Sequence, residues 1–268
     1  MIISEMQHKL ATWAADDPNR RFDRLLRLIA ERDWLAEAAR IVLASSGART
    51  TGIDGMDKQR LQHKLDECLA QLRMDLLTGA YRPKPVKRIY IPKVNGKLRP
   101  LGIPTLTDRI VQRAMLMVME PIWESDFHRC SYGFRPERSV HHAMRTVKLQ
   151  LQDGTESRGR WVIEGDLASY FDTVHHRLLM TSVRRRVRDK RFVDLLWRIL
   201  KVGHIDRGLF AAASEGVPQG GVLSPLLSNI MLHEFDARLE ARYLSKKGPQ
   251  GSLGTELRHS TRAPHCGS

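Results

Sequence analysis

The stretch KRIYIPKVNGKLRPLGIP, residues 87–104, is the most informative local pattern in the sequence. Two runs that favour extended backbone, residues 87–91 and 97–103, flank Asn95-Gly96, which is the strongest short-range signal for a β-hairpin. The cations of the stretch could face phosphate groups, or they could be solvated edge-strand charges that block aggregation; they are Lys87, Arg88, Lys93, Lys97 and Arg99. The hairpin alone favours neither interpretation.

Helical patterns lie on both sides of this hairpin. Apolar residues recur at three-to-four spacing over residues 22–41, 61–77, 107–123 and 136–151, and Gly79 ends the second of these runs. Residues 184–201 predict one strongly basic helix, and Ser224-Pro225 predicts the start of a last helix. A strand is predicted over residues 160–167, and Asp172 is predicted to cap a helix that begins near Val174. The chain therefore reads as α+β with a helix-rich N-terminal region.

The charge balance points to a polyanionic partner. The 268 residues contain 44 Lys and Arg against 30 Asp and Glu, a formal net charge of +14, and 42% of them are hydrophobic, which excludes a disordered chain. Nucleic acid is the leading partner, because the apolar stretches are far shorter than the ~20 residues of a membrane span. Three widely spaced cysteines favour a reducing compartment, and we expect a cytoplasmic protein without a membrane partner.

Asp166 is the first candidate for chemistry. It ends the predicted strand, where a carboxylate facing a basic cleft could hold a hard cation such as Mg²⁺ against a substrate phosphate. A single carboxylate is not a metal site, and a turn or capping aspartate is the commoner explanation of such a residue. The adjacent pairs His141-His142 and His175-His176 lack the i, i+4 spacing of a helical metal site, so surface or capping roles are favoured for them.

Four ordered motifs carry a family resemblance. KRIYIPKVNGKLRPLGIP is followed by SYGFRP at residues 131–136, DLASYFD at 166–172 and GVPQGGVLSPLLSN at 216–229. Together they resemble the reverse transcriptases encoded by bacterial and organellar group II introns, and the loop TGIDG at residues 51–55 is similar to an extra N-terminal block of that family. The match runs from about residue 52 to residue 243 and is far more specific than one short motif.

The resemblance implies the fingers and part of the palm of a right-hand polymerase. We expect a helical N-terminal region at residues 1–80, fingers at 81–160, a partial palm at 161–247 and a disordered tail at 248–268. The implied reaction is RNA-directed DNA synthesis, in which two metal ions assist phosphoryl transfer from deoxynucleoside triphosphates to a primer. The implied partners are an intron RNA template, a DNA primer and deoxynucleoside triphosphates, and a homodimer is left open.

The resemblance also assigns site residues. Asp166 and the backbone carbonyl of Leu167 would bind Mg²⁺, and Phe171 would screen the 2′ position of the sugar. The residues matched to binding of the incoming nucleotide are, besides Phe171, Lys93, Arg99, Gln219 and Gly220. The basic residues expected to contact RNA are Arg88, Lys97, Arg184, Arg185 and Arg188. A strict two-residue turn at Asn95-Gly96 would put Lys93 and Arg99 on opposite faces, so a looser turn or a bulge is needed.

The C-terminal part departs from the family pattern. The family carries a Tyr-Ala-Asp-Asp segment that completes the metal site, whereas this sequence has no aspartate after Asp236. We therefore expect a fragment without the second catalytic carboxylates and without activity of its own, with the residues from about Ser245 onward out of the original reading frame. The alternatives are a non-catalytic, maturase-like RNA-binding fragment, an unstable pseudogene product, and a reverse transcriptase of the retron or diversity-generating type.

Overall fold

A computed structural model describes residues 2–92, 96, 98–152 and 163–244 of the chain. One compact unit comprises Met1–Met231, and a second begins at Leu232. Two 3₁₀ turns, Ser46–Arg49 and Tyr170–Asp172, and a π-helical turn, Glu240–Leu244, accompany the regular elements. The helices are α1 (Ile3–Asp16), α2 (Leu25–Ile29), α3 (Arg32–Ala44), α4 (Lys58–His63), α5 (Leu65–Thr78), α6 (Leu106–Glu124), α7 (Val140–Gln152), α8 (His176–Arg186), α9 (Lys190–Lys201) and α10 (Ser224–Leu239).

Four strands form one sheet in the order β2-β1-β3-β4, with β1 at Val86–Pro92, β2 at Leu98–Ile103, β3 at His204–Asp206 and β4 at Leu209–Ala211. The predicted hairpin is confirmed as the antiparallel pair β1 and β2. The described pairs run from Lys87 opposite Ile103 to Pro92 opposite Leu98, whereas a strict two-residue turn at Asn95-Gly96 would put Pro92 opposite Arg99. Strand β3 runs parallel to β1, and β3 and β4, which the sequence did not predict, form a second hairpin.

Helix α6 is the centre of the core. It is apolar on most of its circumference, and such a helix is stable only where other elements cover it on all sides. Helices α1 and α3 pack against it, and the indole Nε1 of Trp34 donates to the carbonyl of Ala114 at 3.0 Å. The helix brings Ile110, Met115 and Met119 to complete burial. The α+β class is therefore confirmed, with a helical N-terminal region that shares its core with the sheet-bearing part.

A buried polar cluster fixes the entry to the hairpin. Thr105 caps α6 by accepting from the Asp108 amide at 3.1 Å, and its hydroxyl donates to the Asp108 carboxylate at 2.6 Å. The same carboxylate accepts from the Tyr81 hydroxyl and from the Lys84 amide. Burial raises the pKa of Asp108 and raises that of Tyr81 well above the usual value. The cluster ties the proline-rich segment before β1 to the first turn of α6.

The single basic helix predicted over residues 184–201 is wrong. Helix α8 ends at Arg186 and α9 begins at Lys190, with Asp189 as its cap. The break has a clear cause, because Val187 bridges to Phe22 as an extended residue: Phe22 donates to the Arg186 carbonyl and Arg188 donates to the Phe22 carbonyl, both at 2.7 Å. Local propensity favours one helix, but these long-range backbone bonds outweigh it.

The strand predicted over residues 160–167 is also wrong for the part that the structure describes. Residues 163–167 have no regular structure, Ile163 is 97% exposed, and residues 160–162 lie outside the described residues. An extended segment becomes a strand only where a neighbour completes its hydrogen bonds, and none of the described strands pairs with it. Asp172 does not cap a helix either, because α8 begins at His176 and His175 accepts from the Leu178 amide.

Helical structure is confirmed in the other four predicted runs, but two of them are each divided: residues 22–41 contain α2 and α3, and residues 61–77 contain the end of α4 and α5. Helix α5 ends at Gly79, whose φ of +78° is the left-handed C-terminal conformation that glycine favours. Helix α10 begins at Ser224 as predicted, and the predicted disordered tail at 248–268 lies outside the described residues. Within the described part of the chain, no helix is both long enough and apolar enough to cross a bilayer.

Candidate functional site

Three separate segments of the chain meet at one place on the structure. They are β2 itself, the turn segment at residues 166–172 and the loop at residues 215–221, which we call the site loop. The amide of Gly102 in β2 donates to the Gln219 carbonyl at 2.7 Å, and the Val217 amide donates to the Phe171 carbonyl at 2.7 Å. The site loop is therefore the central element and holds the hairpin and the turn segment together.

Close backbone approach explains two glycines of the site loop. Gly216 has a φ of +83°, and a Cβ there would lie 2.7 Å from the Asp172 carbonyl oxygen. Gly220 has a φ of +98°, and a Cβ there would lie 3.0 Å from the Gly102 carbonyl oxygen. Any other residue at these positions would push the loop away from its neighbours and strain its own backbone.

Buried residues of the core hold the site loop in place through hydrogen bonds. Nε2 of the buried His176 lies 2.6 Å from the Gly216 carbonyl oxygen, which identifies this nitrogen as the donor. Burial lowers the pKa of His176, which favours the neutral ring. The Val222 amide donates to the Gln112 side chain of α6 at 3.0 Å, and the Ser224 hydroxyl donates to the Pro218 carbonyl at 2.7 Å. The loop is thus fixed by bonds at both of its ends.

A line of polar side chains crosses the three segments. Nε of Arg99 donates to the Gln219 side-chain oxygen at 3.0 Å, and the Gln219 amide nitrogen donates to the Asp172 carboxylate at 3.2 Å. Because Arg99 can only donate and the Asp172 carboxylate accepts, the side-chain oxygen of Gln219 must face Arg99 and its nitrogen must face Asp172. Gln219 in turn holds the guanidinium of Arg99 in one orientation at the exposed surface of the hairpin.

An aromatic group lies beside this polar line. The ring of Phe171 makes edge-to-face contacts with Tyr170 and with Phe134, both at 6.2 Å between ring centres. Tyr170 faces inward, where its hydroxyl donates to the Ser228 carbonyl at 3.0 Å and burial raises its pKa to about 12. Phe134 faces outward and is 71% exposed. Phe171 is therefore held between the half-buried ring of Tyr170 and the exposed ring of Phe134.

The structure brings together four of the five residues that the sequence assigned to the nucleotide. Arg99, Phe171, Gln219 and Gly220 share the hydrogen-bonded cluster, while Lys93 lies outside the described residues. Asp166 and Leu167, assigned to metal binding, are exposed and lie on the irregular backbone that leads into Phe171. The described residues contain no group of three His, Cys, Asp or Glu side chains suited to a metal ion.

The residues assigned to RNA are dispersed. Arg88 lies on β1 opposite Gly102 and is half-buried, and Lys97 is outside the part of the chain that the structure describes. Arg184 and Arg185 are exposed at the end of α8, and Arg188 is exposed in the α8–α9 connection. No described contact joins Arg184 or Arg188 to the site loop. Arg184, Arg185 and Arg188 therefore lie at the solvent-exposed surface.

Several other arginines of this region have structural roles. The buried Arg186 donates to the carbonyls of Ala14 and Asp17 at 3.0 Å and pairs with Asp126 at 3.0 Å. Arg191 donates to the carbonyls of Leu76 and Leu77, where α5 leaves its last carbonyls unpaired. Part of the positive charge therefore stabilises the fold instead of serving a ligand.

Sequence reasoning missed two residues of the cluster. Asp172 was interpreted as a helix cap, although it orients Gln219. Phe134 lies within the SYGFRP motif but received no role. The motif itself could have indicated a functional role for Phe134. It is a bulky aromatic residue between a glycine and an arginine, and no apolar periodicity there predicts that it packs in the core.

Comparison with known proteins gives these features a context. Residues 91–256 match the family described as reverse transcriptase (RNA-dependent DNA polymerase). Protein YkfC of Escherichia coli (strain K12) is 72% identical over 247 residues, which cover 92% of this chain. The group II intron-encoded protein LtrA of Lactococcus lactis subsp. cremoris is 37% identical over 221 residues, 80% of this chain. This chain spans 65% of the length of YkfC and 35% of that of LtrA.

A solved structure supports the fold. A chain of a partial Cas6-RT-Cas1--Cas2 complex superimposes with a TM-score of 0.52 at 22% sequence identity. The match covers 81% of this chain and 35% of that one. At this identity the likeness concerns the fold alone.

Proposed function

The chain belongs to the reverse transcriptase (RNA-dependent DNA polymerase) family, and from this membership we propose that its site loop, turn segment and hairpin form the nucleotide-binding site of an RNA-directed DNA polymerase of the group II intron type. In this proposal residues 81–160 are the fingers and residues 161–247 belong to the palm. The substrates are a deoxynucleoside triphosphate, a DNA primer and an RNA template.

The observation that carries the proposal is the hydrogen-bonded line from Arg99 through Gln219 to Asp172, with the ring of Phe171 beside it. Phosphoryl transfer needs charge neutralisation and positioning more than covalent help from the protein. A guanidinium held in place at an exposed surface suits the phosphates, and an aromatic ring on the turn segment, which is bonded to the same site loop, suits the sugar. Because these groups come from segments far apart in sequence, a chance meeting of the side chains is a poor explanation for their arrangement.

Each residue of the site has a role in the proposal. Arg99 binds the triphosphate, and Gln219 presents Arg99 at a fixed angle while its backbone follows strand β2. Phe171 lies against the sugar and disfavours a 2′ hydroxyl. Gly220 allows the loop to approach the hairpin closely enough for the nucleotide to contact both.

Divalent metal ions generally assist reverse transcriptases, and we assign Mg²⁺ to Asp166 and the Leu167 carbonyl. Mg²⁺ in nucleotide sites is usually held by one or two carboxylates together with substrate phosphates and water. An exposed carboxylate four residues before the 3₁₀ turn that bears Phe171 fits one place in such a set, and the described residues supply no cluster that would hold the ion without substrate. When bound, the ion would neutralise phosphate charge.

The nucleic acid strands would be held by the basic surfaces. The residues that would contact the phosphate backbone are Arg88 on the hairpin and the exposed arginines Arg184, Arg185 and Arg188. A net charge of +14 favours rapid, salt-sensitive association with RNA. A homodimer remains part of the proposal only as a state to be tested by sedimentation.

Primer extension tests the enzymatic proposal. The purified chain is incubated with an RNA template, a DNA primer, deoxynucleoside triphosphates and Mg²⁺, alongside Asp166→Ala and a control without metal. Extension that requires both Mg²⁺ and Asp166 supports the catalytic assignment. Extension that survives Asp166→Ala would show that Asp166 does not hold the reactive metal.

A second candidate function is RNA binding without synthesis, as in a maturase-like protein. The observation that favours it is that the turn segment exposes only two carboxylates, and Asp172 already accepts from Gln219, so Asp166 is the one candidate ligand left there. This candidate predicts tight, salt-dependent binding of structured RNA with no extension of a primer. Binding that hardly changes with salt would contradict it, because contacts to RNA phosphates release counterions.

A further inference from the structure

The side chain of Phe134 combines three properties that seldom occur together. Its ring is 71% exposed, its backbone φ is +57°, and it contacts Phe171 edge to face with an interplanar angle of 88°. Exposure leaves an apolar ring in water, and a left-handed backbone strains a bulky residue that has a Cβ. Both costs persist only where the surrounding structure enforces them.

The residues on either side of Phe134 supply that enforcement. The Gly133 carbonyl accepts from Nδ2 of Asn229 in α10 at 2.8 Å. Arg135 is buried, donates to the Glu124 carboxylate at 2.5 Å, and donates to the carbonyls of His128 and Ser131, both at 2.8 Å. The backbone is therefore fixed just before and just after Phe134, and the ring is held out of the core by rigid neighbours.

Packing within the protein does not account for this arrangement. A ring that served only to support Phe171 would gain more by lying flat on the core, where its apolar area would leave water. Its ring packs against Phe171 at a nearly perpendicular angle, and most of the residue's surface still faces solvent beside the turn segment. Exposed aromatic rings on a rigid backbone are the usual surfaces on which nucleobases stack, because every base has a π face.

We propose that Phe134 is a stacking platform for a nucleobase next to the nucleotide site. The inference rests on the proposed function, because it takes nucleic acid or a nucleotide as the ligand, and it adds a base contact that the motif resemblance does not assign. The base could belong to the incoming nucleotide or to the template strand. Both present the same chemistry to the ring, and the experiment separates them.

The test measures stacking with 2-aminopurine, whose fluorescence is quenched when it stacks. One arm uses 2-aminopurine deoxyribonucleoside triphosphate with the chain bound to a dideoxy-terminated primer on an RNA template. The other arm places 2-aminopurine in the template near the primer end. The variants are Phe134→Leu, which removes the π face, and Phe210→Leu as control, because Phe210 on β4 is also an exposed phenylalanine, at 61%.

We expect Phe134→Leu to weaken binding of the stacked probe about 5- to 150-fold in one arm, the range given by base–aromatic stacking. Phe210→Leu should leave both arms within about twofold of the wild type. Loss in the triphosphate arm assigns the base to the incoming nucleotide, and loss in the template arm assigns it to the template. Equal binding by Phe134→Leu in both arms would overturn the proposal.

A second variant separates stacking from folding. Phe134→Gly removes the ring and also relieves the left-handed strain, so its melting temperature should equal or exceed that of the wild type while binding of the probe falls. A lower melting temperature together with unchanged probe binding would assign Phe134 a purely structural role. If the wild type binds neither the primer–template nor the triphosphate, the proposed function itself fails, which is a different result from equal binding by wild type and variant.

Discussion

Replacing Gln219 by leucine should weaken binding of a deoxynucleoside triphosphate without unfolding the chain. The variant Gln219→Leu keeps the approximate size of the side chain but removes the acceptor for Arg99 and the donor for Asp172, at 3.0 and 3.2 Å. Arg99 is exposed, so once released it regains the rotamer freedom of a long side chain. The nucleotide would then have to order Arg99 on binding.

The size of the effect follows from that ordering. Fixing an arginine side chain costs up to about 2 kcal/mol of conformational free energy, and an exposed hydrogen bond contributes about 0.5–1.5 kcal/mol net. We therefore expect a loss of about 1–2 kcal/mol in binding free energy, which is about a 5- to 30-fold rise in the dissociation constant. The thermal midpoint should hardly change, because the Gln219 side chain contributes its bonds at the surface.

Equilibrium titration of a triphosphate onto the chain with a dideoxy-terminated primer and an RNA template measures this effect without any need for synthesis. Gln71→Leu is the matched control, because Gln71 donates to Asp75 at 2.8 Å on the surface of α5 in the same way. In an Arg99→Ala background, Gln219→Leu should lose most of its effect, with a coupling energy of about 1 kcal/mol. Additive losses, or equal losses in Gln71→Leu, would refute the claim that Gln219 acts through Arg99.

Three further predictions concern stability and charge. Because burial raises the pKa of Asp108, ionisation of this carboxyl destabilises the folded chain. The stability that the protonated carboxyl contributes is fully present below about pH 4 and is lost as pH rises through the raised pKa. Melting curves from pH 3 to 8 should show that decline, and the same decline in Asp108→Asn would contradict it. Because burial lowers the pKa of His176, the stability of the folded chain should fall as pH drops below about 6.5. His176→Gln should flatten this part of the plot of melting temperature against pH. An unchanged plot would exclude His176 as the source of the fall. Replacing Arg184, Arg185 and Arg188 by glutamine should lower the slope of the logarithm of RNA affinity against the logarithm of salt concentration by about 2 units, at about 0.7 per phosphate contact of single-stranded RNA. A slope equal to that of the wild type would show that these arginines do not contact RNA.

The parts of the fold that the sequence predicted are those that local patterns determine. Helix α6 has an apolar repeat over its whole length, and the Asn95-Gly96 signal located the β1–β2 hairpin. The motifs likewise supplied Arg99, Phe171, Gln219 and Gly220 as candidate site residues, because each motif is a short run that can be recognised without its neighbours. The structure then shows that these residues meet through backbone bonds of the site loop.

The failures share a physical cause in long-range interactions. The break between α8 and α9 depends on Phe22, which lies more than 160 residues earlier in the chain, and no local pattern predicts that bridge. The apolar run at residues 161–163 suggested a strand, but residues 163–167 have no described strand beside them. Asp172 has the sequence context of a cap, and only the folded chain reveals that Gln219 is its partner.

The central claim is that the site loop and the hairpin form a template-directed nucleotide site. The most direct measurement is the affinity of the chain, held on a dideoxy-terminated primer and an RNA template, for each of the four deoxynucleoside triphosphates in Mg²⁺. The account predicts that the nucleotide matching the template base binds at least about tenfold more tightly than the others, and that Arg99→Ala weakens it. Equal affinity for all four nucleotides, unaffected by Arg99→Ala, would contradict the account.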